Sequence, residues 1–270
     1  MDFNDTLQED EFRKKVRTFL EANAEKRSTL AAKPKGDSGS SISSAGAPET
    51  VKGEDAAKVA LDNAKEWQRK KADAGFAAIL WPKEFGGYGG TPIEQVIYAQ
   101  EEHDYFVHSG YFEIGIGMLG PTMMAWGKDE DKKRFLPKMI TGEEIWCQLF
   151  SEPSAGSDLA GIRMKAEKDG DEWVLNGQKV WTSGAHFADY GMIVARSDPT
   201  ALKHKGLTYF YVDMKTPGIE AKPIKQISGS ANFNEVFFND VRIPDSQRIG
   251  AEGDGWKVSL TTLMLSLIHI

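Results

Sequence analysis

The feature that most constrains the fold of this chain is a change in the spacing of its apolar residues near the middle. In the first half, apolar side chains recur three or four positions apart, which predicts amphipathic helices. From about residue 145, strand-length runs rich in β-branched and aromatic residues follow one another without helices between them. Because a parallel sheet needs helical crossovers, the second half favours an antiparallel barrel or sandwich. The predicted helices are residues 5–23, 54–74, 92–104, 109–126 and 129–140.

These patterns predict an α+β protein in three parts. We expect an all-helical N-terminal domain in residues 1–144 and an antiparallel β-barrel middle domain in residues 145–252. Residues 253–270 begin a C-terminal helix, and we expect the sequence to be truncated before the helical domain that this helix opens. Residues 33–53 are rich in serine, glycine and proline, which predicts a flexible insertion. Asn176–Gly177, between two short strand-like runs, predicts a hairpin turn.

The amino-acid composition indicates which binding partners and which cellular compartment to expect. The formal net charge of −7 argues against nucleic acid, because phosphate binding needs concentrated lysine and arginine. Cys147 is the only cysteine, so no internal disulfide can form, and the cytoplasm is the expected compartment. No apolar run approaches the roughly 18 residues of a membrane-spanning helix. The histidines lack the spacing of a metal site, so we expect none.

Two motifs in the β-rich half are candidates for ligand binding. The run SEPSAGSDLAG, residues 151–161, joins two predicted strands, and its glycine, hydroxyl and backbone N–H groups suit an anion or a polar ring. The run KVWTSG ends a predicted strand with a flat indole ring beside two hydroxyls. A plain surface connection for the first motif and core packing for the tryptophan are the alternatives.

At these motifs the sequence resembles the acyl-CoA dehydrogenase family. CQLFSEPSAGSD resembles the family pattern C-x-x-T-E-P-x-x-G-S-D, and NGQKVWTSG resembles N-G-x-K-x-W-I-T-N/S-G. The likeness extends upstream through WPKEFGGYGGT and downstream through FNEVFFNDVRIPDSQRIGAEGDGWKV. It covers nearly the whole chain, apart from residues 33–53 and the last few residues.

The resemblance implies an FAD-dependent enzyme that converts acyl-CoA thioesters to 2-enoyl-CoA. FAD would lie between the β-barrel domain and the C-terminal helical domain. Ser157 would also bind the thioester, and the hydroxyl of Ser183 would lie near the reactive N5 atom of the flavin. Ser151 replaces the usual threonine and keeps its hydroxyl, whereas Gln148 stands where an aromatic residue is frequent. The implied cofactor-binding residues are Gln148, Phe150, Ser151, Gly156, Ser157, Trp181, Thr182 and Ser183.

The resemblance also implies partners, but it leaves the catalytic base unassigned. An electron-transfer flavoprotein is the implied electron acceptor, and the full-length parent is expected to be a homo-oligomer. The family base is a glutamate that lies well past residue 270 or near residue 266, where this chain has Ser266. Two alternatives therefore stay open. One is an acyl-CoA oxidase or flavin monooxygenase of the same fold, and the other is a non-catalytic fragment that binds flavin or CoA.

Overall fold

The computed structural model describes residues 4–27, 54–227 and 229–268. The insertion predicted at residues 33–53 lies outside these described residues. The chain divides into two compact units, Met1–Gly110 with Ile140–Glu143 and Tyr111–Met139 with Glu144–Ile270. Because Tyr111–Met139 group with the strands, this division differs from the predicted domain boundary at residue 144, which stays a prediction.

The first unit is helical, as its apolar spacing predicts. Its helices are α1 (Leu7–Asn23), α2 (Glu54–Asp73) and α3 (Pro92–His103), and a short antiparallel pair joins β1 (Glu25–Lys26) to β2 (Tyr105–Phe106). Helix α1 begins after Thr6, whose side chain accepts a hydrogen bond from the Glu9 backbone N–H while the Glu9 carboxylate accepts one from the Thr6 N–H. Its apolar stripe, with Phe12 and Leu20, packs into one core with Trp67 of α2 and Ile97 of α3.

The described residues of the second unit form three further α-helices. They are α4 (Gly120–Trp126), α5 (Asp129–Thr141, whose last two residues belong to the first unit) and α6 (Gly255–Ile268). The helix predicted over residues 109–126 begins only at residue 113 and passes through a π-helical turn, Gly115–Leu119, before α4. Pro121 is the second residue after this turn, and since proline has no N–H to donate to the preceding turn, the helix is free to widen there.

Helix α6 is fastened to the rest of the second unit by buried hydroxyl groups. The Thr262 hydroxyl lies 2.9 Å from that of Thr122 and 3.1 Å from the Tyr209 hydroxyl. The Trp126 indole N–H donates to the Thr261 hydroxyl at 2.9 Å. These bonds fix the first turns of α6 against α4 and the sheet. Among the described residues, no helix is both long enough and apolar enough to cross a membrane.

The β-rich half forms one eight-stranded sheet, which confirms the predicted change from helices to strands. The strands are β3 (Trp146–Leu149), β4 (Lys165–Asp169), β5 (Glu172–Ser183), β6 (Tyr190–Arg196), β7 (Leu207–Asp213), β8 (Ile219–Ile224), β9 (Phe233–Pro244) and β10 (Arg248–Ile249). Most neighbours pair antiparallel, as predicted, but β6 pairs in parallel with both β3 and β4. Seven strands follow the order β10-β7-β6-β4-β5-β9-β8, and the eighth, β3, pairs with β6 outside this order. Within the described residues β10 and β8 form open edges, so a closed barrel is not confirmed.

The hairpin predicted at Asn176–Gly177 is wrong, because β5 runs straight through these two residues. The Asn176 amide group donates to the Asp240 carboxylate at 3.0 Å and accepts from the Asp240 backbone N–H at 2.9 Å, which ties it to β9. The register between β5 and β9 shifts at this point, so the pair forms a β-bulge. The hairpin turn lies earlier, at Gly170 and Asp171, where Gly170 has a φ of +62°.

We predict that Gly177→Ala lowers the free energy of unfolding by about 1–3 kcal/mol, because the added methyl group has no room. Gly177 has a φ of +149°, and a Cβ atom there would lie 2.8 Å from Cγ of Met164 and 3.0 Å from its Cα. Denaturant unfolding measures the change. Gly156→Ala is the control, since a Cβ at Gly156 meets no atom within 4 Å. Equal stabilities of the two variants would contradict the lack of room at Gly177.

Candidate cofactor site

The predicted site residues lie in the second unit, on β3, on the segment that follows β3, and at the end of β5. Strand β7 takes one edge of β6 along its whole length. The other edge is shared: β3 pairs with its first part, Tyr190–Ile193, and β4 pairs at its last residue, Arg196. Residues 150–164 therefore leave the sheet after β3 and return in line with it. We call this segment the excursion.

A buried ion pair holds the start of the excursion against β5. The Lys179 ammonium donates to the Phe150 carbonyl at 2.9 Å and to Oε1 of Glu152 at 2.9 Å. The next residue of β5, Val180, donates its backbone N–H to the Ser151 carbonyl at 2.8 Å. Lys179 is 0% exposed and Glu152 is 6% exposed, so the pair is almost completely shielded from water. The backbone on both sides of Ser151 is thus fixed to the strand that carries Trp181, Thr182 and Ser183.

The end of the excursion is fixed by the same carboxylate and by an arginine. Glu152 accepts the backbone N–H groups of Arg163 at 2.6 Å and Met164 at 3.0 Å, which closes the excursion on itself. Arg196 of β6 donates to the carbonyls of Ile162 at 2.9 Å and Ala160 at 2.7 Å. Both ends are therefore held from inside, whereas the middle, residues 153–158, is exposed apart from Ala155.

Burial changes the acid–base properties of Lys179. Removal from water lowers the pKa of its ammonium from 10.5 to about 8, and the attraction of the Glu152 carboxylate opposes this shift only in part. At neutral pH the lysine is therefore charged. The Glu152 carboxylate accepts three hydrogen bonds, two from backbone N–H groups and one from the Lys179 ammonium.

The end of β5 carries the second predicted motif in an unusual backbone conformation. Trp181 has a φ of +58°, a left-handed value that a bulky residue rarely adopts, and the β5–β9 register shifts between Lys179 and Thr182. The bulge leaves the indole 58% exposed, with its ring edge-on to Phe233 at 6.1 Å. Strain of this kind is concentrated at functional sites, where the surrounding structure holds it in place.

Asn234 of β9 holds this strand end. Its amide group donates to the Thr182 carbonyl at 2.9 Å, and its Oδ1 lies 2.8 Å from Nδ1 of His186. Since the Asn234 oxygen is the acceptor in this arrangement, Nδ1 of His186 carries the proton. Burial lowers the pKa of His186, so the imidazole is neutral at pH 7.

Two of the predicted cofactor residues have buried polar atoms that no described residue satisfies. They are Nε2 of Gln148 and Oγ1 of Thr182, and Thr182 is 2% exposed. Buried polar atoms are normally hydrogen-bonded, so each needs a partner from outside the described chain. Gly156 adds a steric feature, because a Cβ there would point into open space. A ligand with acceptor and donor atoms on a flat ring fits these features.

The other predicted residues differ in accessibility. Phe150 is 6% exposed and its ring packs edge-on against Tyr209 at 5.8 Å, so most of its surface belongs to the core. Ser151 and Ser183 are half-buried, whereas Gly156 and Ser157 are exposed. The cofactor roles of these residues stay predictions.

Sequence reasoning missed Lys179, Glu152, Arg196 and Asn234. A signal for Lys179 was present, because alternation along β5 places it on the same buried face as Trp173 and Leu175. A lysine on a buried face requires an acid partner, and Glu152 is the nearby candidate in the first motif.

We predict that the stability of the wild-type protein relative to Lys179→Met rises between pH 8 and pH 10.5. In this window folded Lys179 has lost its proton and unfolded Lys179 has not, so unfolding takes up a proton. The difference should grow by up to about 1.4 kcal/mol per pH unit. Urea unfolding of both proteins from pH 7 to pH 10.5 measures it. Lys203→Met, which removes an exposed ammonium, is the control and should follow the wild type; a profile of Lys179→Met parallel to wild type would contradict the prediction.

Comparison with known proteins identifies the family. Residues 47–143 match the family described as "Acyl-CoA dehydrogenase, N-terminal domain", and residues 147–241 match "Acyl-CoA dehydrogenase, middle domain". The acyl-CoA dehydrogenase IpdE1 of Mycobacterium tuberculosis is 42% identical over 204 residues, which are 76% of this chain and 53% of that protein. The acyl-CoA dehydrogenase FadE34 of the same species is 49% identical over 192 residues, which are 71% of this chain and 27% of that protein.

A solved structure supports the same assignment. The ChsE4–ChsE5 complex from Mycobacterium tuberculosis is 30% identical with a TM-score of 0.76, over 98% of this chain and 61% of that chain. The chain thus spans about half of IpdE1 and about a quarter of FadE34. The matches to both domain descriptions, together with the identity to IpdE1, show that the chain belongs to the acyl-CoA dehydrogenase family.

Proposed function

We propose that this chain carries the FAD-binding part of an enzyme that dehydrogenates acyl-CoA thioesters to 2-enoyl-CoA. The observation that carries the proposal is the joining of the two motifs by one buried ion pair, beside two polar atoms that lack partners. Membership in the family supports the same ligand. FAD, when bound, supplies a two-electron acceptor for the hydride that leaves the β-carbon.

In this proposal each predicted residue makes a different contact with the cofactor. The Gln148 amide nitrogen would donate to an acceptor on the flavin, and the Thr182 hydroxyl would find its missing partner there. Trp181, which is exposed at its bulge, would cover one side and keep water away. Ser151 and Ser183 add hydroxyl groups on half-buried backbone that is fixed by neighbouring strands.

Ser157 and Gly156 are proposed to bind the thioester part of the substrate. Both are exposed in the middle of the excursion, where the absence of a side chain at Gly156 lets a ligand approach the backbone. The α-proton of a thioester is too weakly acidic for a carboxylate base unless hydrogen-bond donors polarise the carbonyl oxygen. Backbone N–H groups of the excursion are suited to that task.

The catalytic base is proposed to come from outside the described part of the chain. The family position near residue 266 holds Ser266, which cannot act as a carboxylate base. The 270-residue chain is therefore expected to bind flavin and acyl-CoA without dehydrogenating the acyl-CoA. In the complete enzyme an electron-transfer flavoprotein is the proposed acceptor of the electrons.

Anaerobic spectroscopy of the purified 270-residue chain tests the proposal. We expect a yellow protein whose bound FAD keeps its visible absorbance when acyl-CoA is added, because no base is present. Bleaching would contradict the missing base and leave the cofactor assignment intact. A chain that stays colourless in excess FAD would contradict the cofactor assignment itself. Rapid reoxidation by oxygen after chemical reduction would favour an oxidase or monooxygenase.

We predict that Gly156→Val leaves the free energy of unfolding within about 0.5 kcal/mol of wild type, because a Cβ at Gly156 meets no atom within 4 Å. The same change fills the space proposed for the ligand. We expect the dissociation constant of FAD or of acyl-CoA to rise about tenfold, which is about 1.4 kcal/mol. Calorimetric titration measures it. Ser154→Val, at an exposed position of the same excursion, is the control, and equal losses in both variants would count against the site.

We predict that Trp181→Asn changes the free energy of unfolding by less than about 1 kcal/mol although it removes a large aromatic side chain. The indole is 58% exposed, and asparagine tolerates the φ of +58° better than tryptophan does. Retention of FAD on gel filtration should nevertheless fall, because the ring no longer covers the flavin. Full retention of FAD would show that Trp181 has no such role.

A further inference from the structure

Among the described residues, the hydrogen bonds that connect the excursion to the end of β5 come from two neighbouring residues. Lys179 bonds to the Phe150 carbonyl and the Glu152 carboxylate, and Val180 bonds to the Ser151 carbonyl. Arg196, which fixes the other end of the excursion, belongs to β6 and not to β5. The position of one motif relative to the other therefore depends on Lys179 and its acid partner.

We propose that Lys179 and Glu152 are positioning residues that couple the two halves of the cofactor site, so that the excursion and the end of β5 are ordered or lost together. The proposal rests on the proposed function for the identity of the ligand. Lys179 is 0% exposed and Glu152 is 6% exposed, so we assign both side chains an indirect role, through the backbone of Ser151 and the residues beside it.

The pair is suited to this role because its contacts reach both ends of the excursion. Glu152 binds two backbone N–H groups at the end of the excursion, and Lys179 binds the carbonyl at its start. One interaction between two side chains thus joins the start of the excursion, its end, and β5. Removing only one partner leaves the other buried without compensation, which destabilises the fold as well as the site.

Two variants distinguish an effect on the stability of the fold from an effect on the position of the excursion. Lys179→Met leaves the Glu152 carboxylate buried without its ammonium. Adding Glu152→Gln removes that charge while an amide oxygen remains to accept a backbone N–H, so the double variant should regain much of the stability lost by Lys179→Met. It still lacks the bond to the Phe150 carbonyl. A purely structural pair would regain cofactor affinity together with stability, whereas a positioning pair would not.

The test combines amide hydrogen exchange with FAD titration of the 270-residue chain. In the double variant we expect exchange of the Val180 amide, which bonds to Ser151, to become about tenfold faster or more, with the Ala195 amide of β6 unchanged. The dissociation constant of FAD should rise about tenfold or more at matched stability. Arg242→Met removes an exposed ion pair with Glu172 and is the control, which should alter neither quantity.

The outcomes separate this proposal from the proposed function. If the wild-type chain binds no FAD, the proposed function fails, and exchange of the Val180 amide alone decides the coupling. If Val180 exchange in the double variant equals wild type, the coupling is overturned, whatever the flavin does. Wild-type FAD affinity despite faster Val180 exchange would overturn the link between coupling and cofactor. Should the double variant fail to fold, Glu152→Gln alone is the second variant, since a buried lysine can release its proton.

Discussion

The interaction on which the site depends is the buried contact between Lys179 and Glu152. A charged pair removed from water gains little net stability from attraction alone, because the loss of hydration is of the same size. Here the two charges also satisfy a backbone carbonyl and two backbone N–H groups, so the pair replaces the regular hydrogen bonds that the excursion lacks. A segment without strand or long helix can therefore keep a defined backbone beside the sheet.

The order of strands in the sheet explains why the excursion needs this ion pair. Strands β3 and β4 share one edge of β6, and fifteen residues of chain must leave that edge and return to it, residues 150–164. A connection of this length at a parallel edge is free to adopt many conformations unless side chains restrict it. Here the excursion is restricted by hydrogen bonds of Lys179, Glu152 and Arg196. Its exposed middle stays available for a ligand.

Local sequence patterns predicted most helices and strands, whereas contacts between distant residues determined where these predictions failed. The helices α1, α2, α3 and α5 follow their apolar spacing closely because each has one buried stripe. Asn176–Gly177 has the composition of a turn, yet β9 offers Asp240 as a partner and draws it into a bulge. The parallel pairs of β6 could not be predicted, since pairing depends on distant residues. Gln148 and Thr182 were predicted from a resemblance, whereas their unpartnered atoms emerge only in three dimensions.

If the excursion and the end of β5 form two sides of one flavin site, a crystal structure of the 270-residue chain grown with FAD will show it. We expect the isoalloxazine ring in contact with both segments, with one polar atom of the ring opposite Nε2 of Gln148 and another opposite Oγ1 of Thr182. Flavin bound elsewhere, or in contact with only one segment while both orphan atoms bind water, would contradict it.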